Sequence, residues 1–340
     1  MSLHDARYGT DQHGLICGFI LHPDAPASEL SSQRAAEWLQ EGAAERGEGF
    51  LWLHFNLSHT GAEKWLANHA GLPHEFFENL RESTREGAHS TRIELIDNSL
   101  QAVINDVHYD FSFEASDIST LWLAVGPRCV VSARRRPLRS VDRLREAVRQ
   151  GEIIRSPLAL LIHLLRDQEE VLVGIVRRVT QRIDEVEDKL LAGKLSVTRG
   201  ELGALRRLLV RLQRLLAPEP ASLFRLLQVP PAWIDAADGM ELRQSTEEFS
   251  VVLRDMSALQ ERIKLLQEEL AAHVNEQNNQ SLYVLTIVTV LALPINIVAG
   301  LLGMNVGGIP LAQHEDGFWI VVMLIASFTG LAAWWAFKKK

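Results

Sequence analysis

The chain has 340 residues, with 35 Lys and Arg against 43 Asp and Glu and a formal net charge of −8. This acidic balance argues against nucleic acid as a partner, because nucleic-acid-binding proteins usually carry a basic face. The charge is distributed unevenly: residues 275–337 contain no Lys or Arg, and their formal charges are Glu276, Glu315 and Asp316. A charged N-terminal part therefore precedes a long apolar C-terminal part.

Residues 1–137 show a pattern that predicts an α+β domain, a mixed sheet flanked by helices. Period-two or continuous apolar runs rich in β-formers predict strands, and these runs are 14–21, 50–55, 92–96, 100–109, 119–125 and 128–132. Helical stretches are predicted near 28–40, 61–70 and 73–80. The Gly126–Pro127 pair predicts a hairpin turn. The polar N-terminus does not resemble a signal peptide, so we expect this domain to be cytoplasmic.

Motifs of enzymes and of resident metal sites are absent from the sequence. Cys17 and Cys129 lie far apart in apolar runs, which predicts buried free thiols rather than a metal knuckle or redox pair. The twelve histidines are scattered without ligand spacing. No P-loop, dinucleotide fingerprint or H-E-x-x-H motif occurs. The sequence therefore predicts neither an enzyme nor a permanently bound cofactor.

Residues 138–231 are predicted to form long antiparallel helices packed on a stalk. Amphipathic periodicity covers 158–192 and 197–216, with a turn at AGKLSVT between them. The proline-containing segments 218–220 and 229–231 interrupt this pattern. A last helix over 232–302 would form the stalk and continue into the first membrane span. At 1.5 Å per residue its length would be on the order of 105 Å.

Two stripes on opposite faces of this last helix are spaced three and four residues apart. The apolar stripe, predicted to pack on the antiparallel pair, is Phe249, Val252, Met256, Leu259, Ile263, Leu266 and Leu270. The other stripe is Ala258, Glu261, Leu265, Glu268 and Ala272. Glu261 and Glu268 are predicted to line a cytoplasmic funnel that concentrates cations. The alternative is that both face solvent or pair with basic neighbours such as Lys264.

Two segments, 282–302 and 318–337, are long and apolar enough to cross a bilayer, which needs about 20 residues. The loop between them, 303–317, has no Lys or Arg. Basic residues flank the spans on the other side: Arg262 and Lys264 precede the first span, and three lysines at 338–340 follow the second. The positive-inside rule therefore predicts that both termini are cytoplasmic.

The first span and the helix below it carry a polar seam with the same spacing. Its members are Asn275, Asn279, Leu282, Thr286, Thr289, Leu293, Asn296 and Gly300. Polar side chains at bilayer depth are costly unless they face a partner helix or water. The seam therefore predicts a pore lined by several copies of the span, whereas a plain membrane anchor would need no such seam. Leu282 and Leu293 fit either an apolar gate or simple helix packing.

At 292–310, ALPINIVAGLLGMNVGGIP, the sequence resembles the CorA superfamily of metal-ion transporters. The hallmark of that superfamily is Gly-Met-Asn after the first of two C-terminal spans, matched here by Gly303, Met304 and Asn305. The segment that follows, Gly307, Gly308, Ile309 and Pro310, is similar to the zinc-transporting ZntB branch. Magnesium-type members usually carry an aromatic and acidic residues at that point.

The resemblance implies a funnel-shaped homopentamer in a bacterial inner membrane. Five first spans would line the pore, and five Asn305 side chains would form an outer selectivity ring for a hydrated ion. The cargo would be Zn²⁺, with Mg²⁺, Co²⁺, Ni²⁺ and Cd²⁺ as other candidates. Zinc sites in proteins prefer Cys, His or carboxylate ligands, and the seam has none, so the pore residues leave zinc and magnesium open. A membrane-anchored ligand sensor is the alternative from another class.

Overall fold

A computed structural model describes the protein over residues 9–41, 47–82, 91–114, 116–192, 199–304, 308–311 and 314–338. The chain forms two compact units, Met1–Leu265 and Leu266–Lys340. The strands are β1 (Leu15–His22), β2 (Ala25–Glu29), β3 (Phe50–Asn56), β4 (Arg92–Ile96), β5 (Ser99–Val107), β6 (Ile118–Val125) and β7 (Cys129–Arg134). The helices are α1 (Ser32–Gln40), α2 (Ala62–His69), α3 (His74–Glu82), α4 (Arg139–Arg149), α5 (Pro157–Leu191), α6 (Arg199–Leu216), α7 (Pro218–Gln228), α8 (Ala236–Leu302) and α9 (Gly317–Lys338).

The strands of the first unit form one mixed sheet in the order β2-β1-β3-β7-β6-β5-β4. The β3–β7 pair is parallel, and the other neighbouring strands are antiparallel. Strands β3, β5 and β6 are buried on both faces, which is why β3 and most of β6 read as near-continuous apolar runs rather than as alternating ones. Strand β5 also buries the polar residues Gln101, Asn105 and Asp106. The predicted mixed sheet and the hairpin turn at Gly126 between β6 and β7 are confirmed.

The prediction of a helix beginning near residue 28 is wrong. Ala25–Glu29 forms strand β2, which pairs with β1 at the edge of the sheet. Pro26 is tolerated there because an edge strand has one side free of ladder hydrogen bonds. Helix α1 begins at Ser32. Ser31 is its N-cap residue, and the Ser31 side chain accepts a hydrogen bond from the backbone N–H of Arg34 at 3.4 Å. Four residues of the predicted helix therefore precede its true start.

Within the first unit, helix α8 contacts both α5 and α6. All seven residues of the predicted apolar stripe are buried, and Met256 and Ile263 are 0% exposed. Polar contacts join the same helices: Arg262 of α8 binds Asp184 of α5 at 2.7 Å, and Gln260 binds Gln213 of α6 at 2.6 Å. The predicted turn AGKLSVT lies almost entirely outside the described residues. The burial predicted for the apolar stripe of α8 is confirmed.

The two proline-containing segments that interrupt the sequence pattern mark the two ends of helix α7. Pro218 occupies the first turn of α7, where a missing N–H costs no helical hydrogen bond. Helix α8 then begins at Ala236, slightly later than predicted. Among the described residues, α8 and Gly317–Trp335 of α9 are long and apolar enough to cross a membrane. The division of the chain into segments 1–137, 138–231, 232–302, 303–317 and 318–340, made from sequence, stays a prediction.

Candidate ion-conducting face of the long helix

The predicted pore seam lies on α8, and each of its positions is exposed in the single chain. The exposed seam residues are Asn275, Asn279, Leu282, Thr286, Thr289, Leu293, Asn296 and Gly300. Exposure alone does not distinguish them, because the apolar neighbours Val284 and Val288 are 53% and 58% exposed. What distinguishes the seam is its position around α8 relative to the half-buried side of the helix.

Half-buried positions of α8 mark this side. They include Ile287, Leu291, Ile295, Val298 and Leu302. At about 100° per residue this set is centred on the side of the helix opposite the seam. Helix α9 shows a matching half-buried row at Val321, Ile325 and Thr329. Ala299 and Leu302 of α8 line one groove with Val321 and Ile325 of α9. Within the second unit, α9 therefore lies on the half-buried side of α8, and the exposed seam is on the opposite side.

The two threonines of the seam satisfy their hydroxyl donors within their own helix. Thr286 donates to the carbonyl oxygen of Leu282 and Thr289 to that of Leu285, each at 2.8 Å. These bonds lower the cost of a polar side chain at bilayer depth even without a pore. A hydroxyl that donates in this way keeps its lone pairs as acceptors, which suits hydrogen bonds from the water shell of a cation.

On the charged part of α8, Glu261 is on the exposed side of the helix. Its side chain is 70% exposed and accepts a hydrogen bond from Nζ of Lys264 at 3.4 Å. In the single chain, Glu261 therefore pairs with Lys264, as the alternative interpretation of this residue predicts. An exposed pair of this kind contributes about 0–1 kcal/mol, which is too little to withhold the carboxylate from a divalent ion. Glu268, on the same stripe, is exposed as well.

Arg262 holds α8 in its orientation within the first unit. Its guanidinium donates to Glu187 at 2.9 Å and to Asp184 at 2.7 Å, both on α5. Hydrogen bonds to Glu187, followed by those to Asp184, raise the pKa of Arg262 above its ordinary value. From sequence, Arg262 is only a topology signal, and this contact cannot be predicted because the acidic partners lie about 75 residues away along the chain.

The hallmark tripeptide begins where α8 ends. The N–H of Gly303 donates to the carbonyl of Ala299 at 2.9 Å, and Met304 is 50% exposed. Asn305 and Gly307 lie outside the described residues. Gly308 has φ +93°, a backbone conformation that glycine adopts without strain and that residues with a side chain rarely adopt. The backbone at this position therefore favours glycine.

Ile309 and Pro310 line an apolar groove of about 460 Å³ together with residues such as Phe318 and Val322 of α9. None of the described residues that line this groove carries a charged side chain. Across the part of the chain that the structure describes, no group of three His, Cys, Asp or Glu residues could hold a metal ion. The candidate ligands on the described seam are therefore carboxamide, hydroxyl and backbone oxygens.

Comparisons with known proteins identify the family. Residues 47–339 match the family described as CorA-like Mg²⁺ transporter protein. The divalent cation transporter CmaX of Pseudomonas aeruginosa is 29% identical over 338 residues, which are 97% of each chain. The zinc transport protein ZntB of Yersinia enterocolitica is 22% identical, covering 90% of this chain and 92% of its own.

Solved structures share the fold over almost the whole chain. The full-length CmaX structure matches with a TM-score of 0.78 and 27% identity, covering 97% of this chain and 99% of its own. The CorA magnesium transporter from Methanocaldococcus jannaschii matches in fold, with a TM-score of 0.75 and 17% identity over 93% of this chain and 96% of its own. Both the resemblance seen at the Gly-Met-Asn tripeptide and the prediction of a non-enzymatic protein are confirmed. This chain belongs to the CorA family and is a transporter of divalent cations.

Proposed function

We propose that this chain transports zinc through a homopentameric pore whose wall is the seam of α8. The observation that carries the pore is the position of the seam on the side of α8 opposite the face that α9 covers. A single helix cannot enclose a pathway, so the uncovered seam needs further copies of itself around a common axis. Five copies are the number that the family resemblance implies.

The ligand chemistry of the seam suits an ion that keeps its water. Carboxamide and hydroxyl oxygens are weak ligands for zinc and good hydrogen-bond acceptors for a hydration shell. A conducting site must also bind weakly enough to release its ion. The Gly307–Pro310 segment and the relatives named as zinc transport proteins support zinc. The relative with the higher identity is named only for divalent cations, so magnesium, cobalt and nickel are the competing cargoes.

Flux into liposomes that contain the purified protein tests this proposal. Zn²⁺ entry should exceed entry of Mg²⁺, Co²⁺ and Ni²⁺ at equal concentration, and Cd²⁺ should compete with Zn²⁺. A pH gradient applied in each direction separates a proton-coupled carrier from a passive channel. Faster entry of Mg²⁺ than of Zn²⁺ would assign the chain to the magnesium-type alternative. Native mass measurement of the same sample should give five copies.

The proposed orientation places both termini in the cytoplasm of a bacterial cell. The uneven distribution of Lys and Arg around the two spans supports it. A cysteine introduced at Ala312 should therefore react with a membrane-impermeant thiol reagent added outside intact cells. A cysteine at Ser196 should react only after the cells are opened. Labelling of the Ser196 position in intact cells would reverse the orientation.

Glu261 and Glu268 are proposed to concentrate cations in the cytoplasmic funnel. Ten carboxylates in a pentameric bore would create a negative potential that raises the local cation concentration and is screened by salt. The double variant Glu261→Gln, Glu268→Gln should transport more slowly at low metal concentration and depend less on ionic strength. The exposed Glu201→Gln on α6 is the matched control. A double variant that behaves as wild type across salt concentrations would leave these residues as stalk surface.

A further inference from the structure

A buried polar cluster lies where β5, α5 and α7 meet in the first unit. Glu219, in the first turn of α7, is 0% exposed, Gln168 of α5 is 2% exposed and Asp106 of β5 is 5% exposed. The side-chain amide of Gln168 donates to the carbonyl of Asn105 at 2.8 Å and to Oε2 of Glu219 at 3.4 Å. Among the described residues, the Glu219 carboxyl accepts this one long hydrogen bond.

The two carboxyl groups of this cluster are satisfied very differently. Asp106 accepts hydrogen bonds from the N–H and the hydroxyl of Ser140 at 2.9 and 3.0 Å and from the N–H of Val107 at 2.7 Å. Oε1 of Glu219 and Oε1 of Gln168, in contrast, are buried and accept no hydrogen bond from any described residue. A carboxylate ion in such surroundings is expensive, whereas a neutral carboxyl removes the charge and can donate a hydrogen bond.

Burial is the main cause that raises the pKa of Glu219 to about 8, and the negative charge of Asp106 raises it further. Burial also raises the pKa of Asp106 to about 6, against the hydrogen bonds from Ser140 and Val107, with Asp142 of α4 adding to the rise. Other charged groups on the elements around α7 include Arg166, Asp167 and Glu169 of α5, Arg92 and Glu94 of β4, Arg211 and Arg214 of α6, and Arg225 of α7 itself. Arg92 and Glu94 pair with each other at 2.9 Å, and Arg225 donates to Ser222.

We propose that Glu219 is a proton-responsive group that couples cytoplasmic pH to the stalk helix α8. Loss of its proton places a second negative charge beside Asp106 in the interior, and moving the first turn of α7 outward relieves this repulsion. Residues 229–235 join α7 directly to α8. Trp233 anchors that connection by donating from Nε1 to the carbonyl of Asn98 at 2.8 Å. A displacement of α7 therefore reaches the start of the helix that carries the pore seam.

The direction of the pH effect follows from proton binding. The folded state holds a proton on Glu219 that the unfolded state, with the ordinary glutamate value of 4.5, releases. Stability therefore falls as pH rises from about 4.5 to about 8, and the loss is complete above that range. Between pH 7 and pH 9 the protonated fraction drops about tenfold for a group with a pKa near 8. The response thus lies within reach of cytoplasmic pH.

Glu219→Gln tests this role, since glutamine imitates the neutral carboxyl in size and hydrogen bonding. The wild-type thermal unfolding midpoint should fall between pH 6 and pH 9, and in Glu219→Gln most of this fall should be absent. The exposed Glu201→Gln carries the same change in charge and should keep the wild-type pH profile. Infrared difference spectra of the wild-type protein should show a buried carboxyl losing its proton over the same range. That band should be missing in Glu219→Gln.

The effect on transport rests on the proposed function and is measured separately. Flux of Zn²⁺ in liposomes should change with the pH on the cytoplasmic side in wild type and lose most of that dependence in Glu219→Gln. If wild type carries no ion, the transport proposal fails while the unfolding and infrared measurements still decide the state of Glu219. A wild-type pH profile in Glu219→Gln, or no carboxyl band in the wild-type spectra, would overturn the inference.

Discussion

Replacing Asn305 by leucine is expected to reduce divalent-cation flux at least about 100-fold without changing folding or assembly. In the proposed pore, five Asn305 carboxamides hold the water shell of the entering ion. A hydrogen bond between neutral groups is worth about 1 kcal/mol, and each 1.4 kcal/mol is a factor of ten in rate. Losing about three of the five contacts at the barrier already accounts for the expected effect. Isotope or fluorescent-dye flux in liposomes measures it.

Two further variants sharpen this experiment. Gln277→Ala removes a carboxamide from α8 on the face opposite the seam, since residue 277 lies about 200° around the helix from Asn275. It should transport as wild type does. Asn305→Asp should bind the ion more tightly and release it more slowly, because five carboxylates attract a divalent cation more strongly than five amides. Wild-type flux in Asn305→Leu would remove Asn305 from the selectivity role.

The sheet and the stalk could be predicted from sequence because local patterns determine them. Strands β3 and β6 are mostly apolar runs, and the 3-4 spacing of Met256 and Ile263 identifies the buried side of α8. Strand β2 could not be predicted, because an exposed edge strand has no apolar periodicity and is defined by its pairing with β1. Its sequence, APASE, instead reads as the approach to a helix.

The candidate site shows the same limit. The polar seam is readable from spacing, but the face that α9 covers is not, because α9 is apolar on all sides and any of its faces could contact α8. The burial of Glu219 could not be predicted from sequence either. In the sequence it stands between two prolines in PEP, a pattern typical of an exposed break. Its burial depends on how α7 packs against the sheet and α5, which are distant in sequence.

Truncating one side chain on each face of α8 should affect folding in one case and assembly in the other. Ile263 and Leu265 are two residues apart on the same helix, yet Ile263 is 0% exposed and Leu265 is 62% exposed in the single chain. Ile263 belongs to the apolar stripe that packs within the first unit. Leu265 belongs to the opposite stripe, which in the proposed pentamer faces the other copies. The same truncation to alanine therefore removes contacts of two different kinds.

Ile263→Ala should lower the free energy of unfolding by about 2–5 kcal/mol, the usual cost of a buried cavity of this size. The thermal midpoint of the first unit should fall by about 4–20 °C. Leu265→Ala should change the stability of the dissociated chain by less than about 0.5 kcal/mol, because the side chain is exposed there. In the assembled protein it should instead shift native mass spectra toward fewer copies at low concentration. Equal destabilisation of the dissociated chain by both variants would contradict the assignment of the two faces. An unchanged assembly in Leu265→Ala would exclude Leu265 from the contacts between copies.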